Sequence, residues 1–193
     1  MLVRMFRRLI AFTIGFALLA VSTRASVVVP TAFREVVADA TLIVRGHLTD
    51  VRGVVMPENG VETIGTIAVD RVLKGTAGTF VTMTVPGGVV GRYRTVVSGA
   101  PRLTLGQQAV FLLKRRTDGL WQPVGLTMGI YTIQTNTRSG RSVVDPPLVV
   151  GVTASTGPVV RGDSRRQLMT VQDFESLIQT VMVAATAGPK GGR

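Results

Sequence analysis

The chain contains no cysteine. Disulfides, thiolate metal sites and a cysteine nucleophile are therefore excluded, and the fold must be held by packing alone. Histidine occurs once, as His47, so a two-histidine zinc site is excluded as well. Acidic residues are scarce, 11 against 22 Lys and Arg, with a formal net charge of +11. A surplus of that sign favours anionic partners in general without choosing among them. Long hydrophobic runs are also missing. The longest charge-free apolar segment, Leu9 to Val21, is shorter than the about 20 apolar residues that a membrane-spanning helix needs.

That segment has a different reading. Arg4, Arg7 and Arg8 precede it and the small residues Ser22 to Ala25 follow it. A basic start, a short apolar run and a small-residue end make a secretory signal peptide, here residues 1–25. The expected location is secreted or periplasmic, with no membrane span after signal cleavage. Loss of Arg4, Arg7, Arg8 and Arg24 would take the net charge from +11 to +7. Residues 26–187 are expected to form one domain, and 188–193 a disordered tail.

Within the mature part, strand signals dominate. In Thr66 to Gly88 the residues Ile67 and Val69 alternate with polar neighbours, as do Val81, Met83 and Val85 after a turn at Lys74–Gly78. Val72 and Leu73 break the alternation, so a β-bulge is expected near Asp70–Arg71, returning the apolar side chains to the core. Thr41 to Val51 is a further strand, with Leu42, Val44 and Leu48 on one face and Arg45, His47 and Thr49 on the wetter one. Ala109 to Leu113 is continuously apolar, which fits a strand covered on both faces. Thr117–Asp118–Gly119 is a hairpin turn, and Trp121 to Gln134 reads as one return strand bulged at Gly125 and Gly129. Gly87 to Gly106 reads as a long connection with one short strand near Arg94–Val97, and Thr135 to Arg166 as loops with one or two edge strands. Thr31 to Ala38 is a short helix. Val171, Phe174, Leu177, Ile178, Val181 and Met182 recur at helical spacing behind the N-cap Thr170. The expected class is mainly β: a small antiparallel OB-like β-barrel with a short N-terminal and a C-terminal helix.

Three stretches carry a resemblance: ADATLIVRGHLTDV (Ala38–Val51), TIAVDRVLKG (Thr66–Gly75) and GQQAVFLLKRRTDGLWQPVG (Gly106–Gly125). Their order and spacing resemble the netrin-like barrel of the tissue inhibitors of metalloproteinases, an OB-type fold. They are closer still to uncharacterised secreted bacterial proteins with the same strand–strand–LKG–strand layout. The resemblance spans roughly residues 38–133 and implies fold more than function. Those inhibitors reach the protease zinc through an amino-terminal cysteine braced by disulfides. This chain has neither, so no inhibitory residue carries over.

No motif marks catalysis. Gly87 to Gly91 follows a strand, as phosphate-cradling loops do, but the next residues RYRTVV favour β structure and supply no helix amino terminus, so it reads as a flexible loop. Arg161-Gly162-Asp163 matches an adhesion tripeptide but is ordinary turn chemistry, with Arg165 and Arg166 making a basic turn. Asp173 and Glu175 read as first-turn helix residues. The expected function is an exported, non-enzymatic binding module with no cofactor. Its candidate site is Arg92, Tyr93, Arg94 and Arg102 in the Gly87–Gly106 loop, where arginine forks and a tyrosine face meet no acidic residue. The partner would be an anionic glycan or an acidic protein surface; nucleic acid is not expected. The alternative is an inhibitor of an extracellular protease, and against any site stands the plain reading that these arginines are solvated.

Export has a direct test. Amino-terminal sequencing of protein recovered from the periplasm or medium is expected to begin near Thr23 or Ser26. Recovery of only the full-length chain, in the cytosol, would overturn the assignment.

Overall fold

The computed structural model describes residues 33–57, 60–135, 140–145, 150–151, 160–161 and 169–186. The expected signal peptide, the 188–193 tail and Gly162, Asp163, Arg165 and Arg166 lie outside the described residues. The fold is mainly β, with two α-helices among the described residues, α1 (Phe33–Asp39) and α2 (Val171–Thr186).

Two fifteen-residue strands, β1 (Leu42–Met56) and β2 (Gly60–Lys74), pair antiparallel along their whole length. Their register shifts between Arg45 and Gly46, where Arg71 and then Val69 are the partners, leaving Asp70 as the extra residue. The break in alternation at Asp70–Arg71 is thus a bulge. A second shift, between Ile43 and Val44, makes Leu73 an extra residue too. Leu73 is buried but Val72 remains exposed. The expectation that both return to the core is corrected, because neighbouring side chains on a strand point to opposite faces.

The other strands are β3 (Phe80–Pro86), β4 (Gly88–Val90), β5 (Tyr93–Thr95), β6 (Gln108–Arg115), β7 (Trp121–Pro123), β8 (Ile130–Thr135), β9 (Ser142–Asp145), β10 (Val150–Gly151), β11 (Val160–Arg161) and β12 (Met169–Thr170). The main sheet runs β1-β2-β3-β7-β6-β8-β9-β12, and β1 also pairs with β6. The hydrogen-bonded path through β1, β2, β3, β7 and β6 therefore returns to β1. One contact in it is slender: β3 meets β7 in parallel at the single pair Met83 and Trp121.

β6 has two dry faces. Ala109, Phe111 and Leu113 join Leu42, Val44, Leu48, Ile67 and Met83 in one core cluster. Val110 and Leu112 join Ile43, Val36, Val37, Tyr131, Phe174 and Ile178 in the other, beneath the helices. Each Val, Leu, Ile, Phe or Met among them contributes roughly 1.5–3 kcal/mol when fully buried. Helix α2 starts where Thr170 caps it: the Asp173 N–H donates to Thr170 Oγ1 at 3.1 Å, and that hydroxyl donates to Asp173 Oδ2 at 2.7 Å. Phe174 and Ile178 point inward, while Leu177 sits at the exposed edge of the helix. The rings of Phe33, Tyr131 and Phe174 lie within 4.7–5.6 Å of one another and tie both helices to β8.

The LKG triplet that ends β2 and turns out of it has a structural role at every position. Leu73 enters the helix-side core. Lys74 Nζ donates to the carbonyls of Val37 and Ala38 at 2.8 and 3.2 Å, closing the C-terminal end of α1. Burial lowers the Lys74 pKa from its ordinary value, offset in part by Asp39. Gly75 turns the chain at φ +79 with the Thr41 carbonyl where a side chain would stand.

Two expectations about the later strands are corrected. Trp121 to Gln134 is not one bulged strand. β7 ends at Pro123, a 3-10 turn spans Leu126–Gly129, and β8 resumes at Ile130. Gly125 and Leu126 both have φ +59, a left-handed step that throws the chain out of the sheet. The Val124 N–H still bonds the Leu112 carbonyl at 2.9 Å, so the excursion closes tightly. Gly87 to Gly106 holds two strands, the β4–β5 hairpin, in place of one strand near Arg94–Val97.

The excursion makes a testable demand on Gly129. A side chain there would stand 2.6–2.8 Å from the backbone of Val124 and Leu112. Gly129→Ala is expected to destabilise by about 1–3 kcal/mol in urea unfolding. Gly78→Ala, with open space around it, is expected to stay within about 0.5 kcal/mol. Equal midpoints for the two variants would refute the tight closure.

Candidate functional site

The β4–β5 hairpin folds back over the far half of β1 and β2, and glycines permit it. Gly53 in β1 has the Val89 carbonyl where its side chain would be. Gly88, at φ +143, lies against Thr63 Oγ1. The Thr63 hydroxyl donates to the Gly87 carbonyl at 2.8 Å, and the Gly87 N–H donates to Val61 at 2.9 Å. The Gly87-Gly88 pair, read from sequence as part of a flexible loop, is instead bonded to β2 at both its donor and its acceptor.

Between this hairpin, the β1–β2 pair and residues 96–103 lies an open cleft of about 580 Å³. Its walls are polar and apolar in nearly equal parts, with Val51, Val89, Val96, Val97, Pro101 and Leu103 on the apolar side. Three arginines line it: Arg52 from β1, Arg94 from β5 and Arg102. Among the described residues, no carboxylate lines it. Arg52 Nε stands 3.4 Å from Asp50 Oδ2, both side chains being well exposed. The Arg94 and Arg102 side chains make no hydrogen bond or ion pair among the described residues.

Of the four residues expected from sequence, the structure brings Arg94 and Arg102 together at the cleft. Arg92 and Tyr93 do not line it. They sit at the hairpin turn, where Arg92 Nη2 donates to Tyr93 Oη at 3.1 Å and its guanidinium lies 5.2 Å from the ring centroid. The cross-strand pairs explain the split. Val89 opposes Arg94 and Val90 opposes Tyr93, so Arg94 shares a face with Val89 and Tyr93 takes the other. Arg52 was missed. Only the folding of the hairpin onto β1 brings it near Arg94, and no local pattern encodes that approach.

The remaining charge clusters are internal ties. Glu175 is buried and accepts from Arg45 Nη1 at 2.7 Å and Arg71 Nη1 at 2.8 Å, clamping α2 to β1 and β2. Its reading as a first-turn helix residue is thereby corrected, since only Asp173 is acidic in the first turn, and Arg45 is not a free surface group. Glu62 is buried in β2. It accepts from the Thr84 hydroxyl at 2.6 Å and from Arg116 at 2.8 and 3.1 Å, and Arg116 also reaches Asp118 at 2.7 Å. Hydrogen bonding to Glu62 is the first cause holding the Arg116 pKa above its ordinary value. A carboxylate so fully bonded is poorly placed to exchange protons with a substrate. His47 Nδ1 lies 3.5 Å from Asp70 Oδ1, with both side chains partly exposed. Among the described residues, no group of three or more His, Asp or Glu gathers to hold a metal ion.

The two kinds of arginine are expected to respond differently to truncation. Arg116→Ser leaves Glu62 buried without its ionic partner and should destabilise by roughly 3–5 kcal/mol. Arg94→Ser removes an unpaired, exposed group and should stay within about 0.5 kcal/mol. Urea unfolding followed by circular dichroism checks both, and a large loss for Arg94→Ser would make it a structural residue. No protein-family profile matches this chain, and no curated protein matches it.

Proposed function

We propose that this chain is an exported, non-catalytic binding module on an OB-like, netrin-like barrel, and that the cleft between β1–β2 and the β4–β5 hairpin holds an anionic partner. The barrel reading draws support from the strand path that returns from β6 to β1. The binding reading is carried by one observation: Arg52, Arg94 and Arg102 line one cleft that, among the described residues, no carboxylate lines. Like charges held together cost free energy unless a counter-charge arrives, and guanidinium groups match the geometry of carboxylate, sulfate and phosphate. Glycine-set backbone contacts fix the hairpin in place, so little ordering is left for the partner to impose.

The test is retention on a sulfated polyanion column. R52S/R94S/R102S is expected to elute at lower salt than R34S/K114S/R115S, which loses the same charge outside the cleft. The cleft variant should keep its unfolding midpoint, since exposed charges contribute little stability. Rising ionic strength should weaken wild-type retention, as screening over about 10 Å at 0.1 M requires. Identical elution of the two variants would remove the cleft as the site.

A further inference from the structure

The cleft that gathers the arginines is as much apolar as polar. Val51, Val89, Val96, Val97, Pro101 and Leu103 stand around Arg52, Arg94 and Arg102. Val89 and Val96 are 58% and 76% exposed. They offer no hydrogen bond to a sugar ring, yet they sit at the site where one would have to lie. Among the described residues β5 pairs only with β4, and its three residues are all exposed. At about 580 Å³ the cleft falls in the ordinary range for small-molecule sites, about 300–1,000 Å³.

Resting on the anion-binding reading above, we propose that the ligand is an anionic amphiphile: a hydrocarbon chain ending in a phosphate, sulfate or carboxylate. The head meets Arg94 and Arg102, whose side chains have no other partner among the described residues. Arg52 is the third donor, shared with Asp50. The chain lies along Val89, Val96 and Val97 and covers surface that otherwise faces water. Neither part suffices alone. An exposed arginine pair holds a bare anion weakly in water, and the valines alone do not discriminate among apolar molecules. A free amphiphile and a lipid within a bilayer present the same chemistry.

Calorimetric titration of the exported protein with dodecyl phosphate, kept below its critical micelle concentration, tests the assignment. Dodecyl phosphate is expected to bind at least about tenfold more tightly than inorganic phosphate or the neutral dodecyl maltoside. V89S/V96S should lose that advantage while keeping wild-type retention on the polyanion column; R94S/R102S should lose both. Co-sedimentation with phosphatidylglycerol vesicles, compared with phosphatidylcholine, identifies the source. Anion-dependent sedimentation that V89S/V96S weakens assigns a bilayer lipid. Binding of dodecyl phosphate without it assigns a free amphiphile, and either result supports the proposal. All variants share one amino terminus, so differences among them report the cleft. Equal affinity for dodecyl phosphate and inorganic phosphate, or undiminished binding by V89S/V96S, would overturn the amphiphile while leaving the anion site. Undiminished polyanion retention by R94S/R102S would overturn the anion site itself.

Discussion

Ala109 to Leu113 has no side facing water, and the rest of the molecule is arranged to keep it so. Phe111 and its alternate neighbours need one apolar layer; Val110 and Leu112 need another. β1 supplies part of both, because Leu42 and Val44 turn one way and Ile43 the other. The first layer is completed by β2 and β3, and the second by the two helices. A strand buried on both faces must also pair along its edges to satisfy its backbone. β6 does so with β1, β7 and β8. The returning strand path and the helix cover are thus two consequences of one five-residue apolar run.

Charges divide according to whether this arrangement closes over them. Glu62 and Glu175 are drawn inside with arginine partners, at places where a loop or a helix must be tied to the sheet. Taking such ions from water costs several kcal/mol, which only good geometry and full hydrogen bonding offset. The arginines of the cleft carry no such burden. They remain near water, beside apolar side chains that also remain near water. A surface holding both kinds of unmet demand at one place is what a bound ligand would relieve, whereas either kind alone is commonplace on protein surfaces.

The triplet Leu73-Lys74-Gly75 shows why a shared motif here speaks for architecture. Its leucine packs, its lysine closes a helix end and its glycine makes a turn against Thr41. None of the three lines the cleft. The residues that do line it lie in the Pro86–Leu103 region and on the far half of the β1–β2 pair, largely outside the stretches that carry the fold resemblance.

Local periodicity alone determined the strand at 109–113, the helix behind Thr170 and the bulge at Asp70, because each is set by neighbours within a few residues. It also singled out Arg94 and Arg102, since an arginine-rich stretch without acids is visible in one dimension. The tertiary structure decided the rest. The break of the 121–134 strand depends on Val124 reaching Leu112 across a sheet. Glu175 is buried because Arg45 and Arg71 come to it from residues more than a hundred positions away. Arg52 joins the cleft because the hairpin folds onto β1, and Arg92 and Tyr93 lie outside it while the pairing of Val89 with Arg94 puts those two on one face. Side-chain pattern encodes which face of a segment is dry; which segment comes to cover it is settled only when distant strands pair.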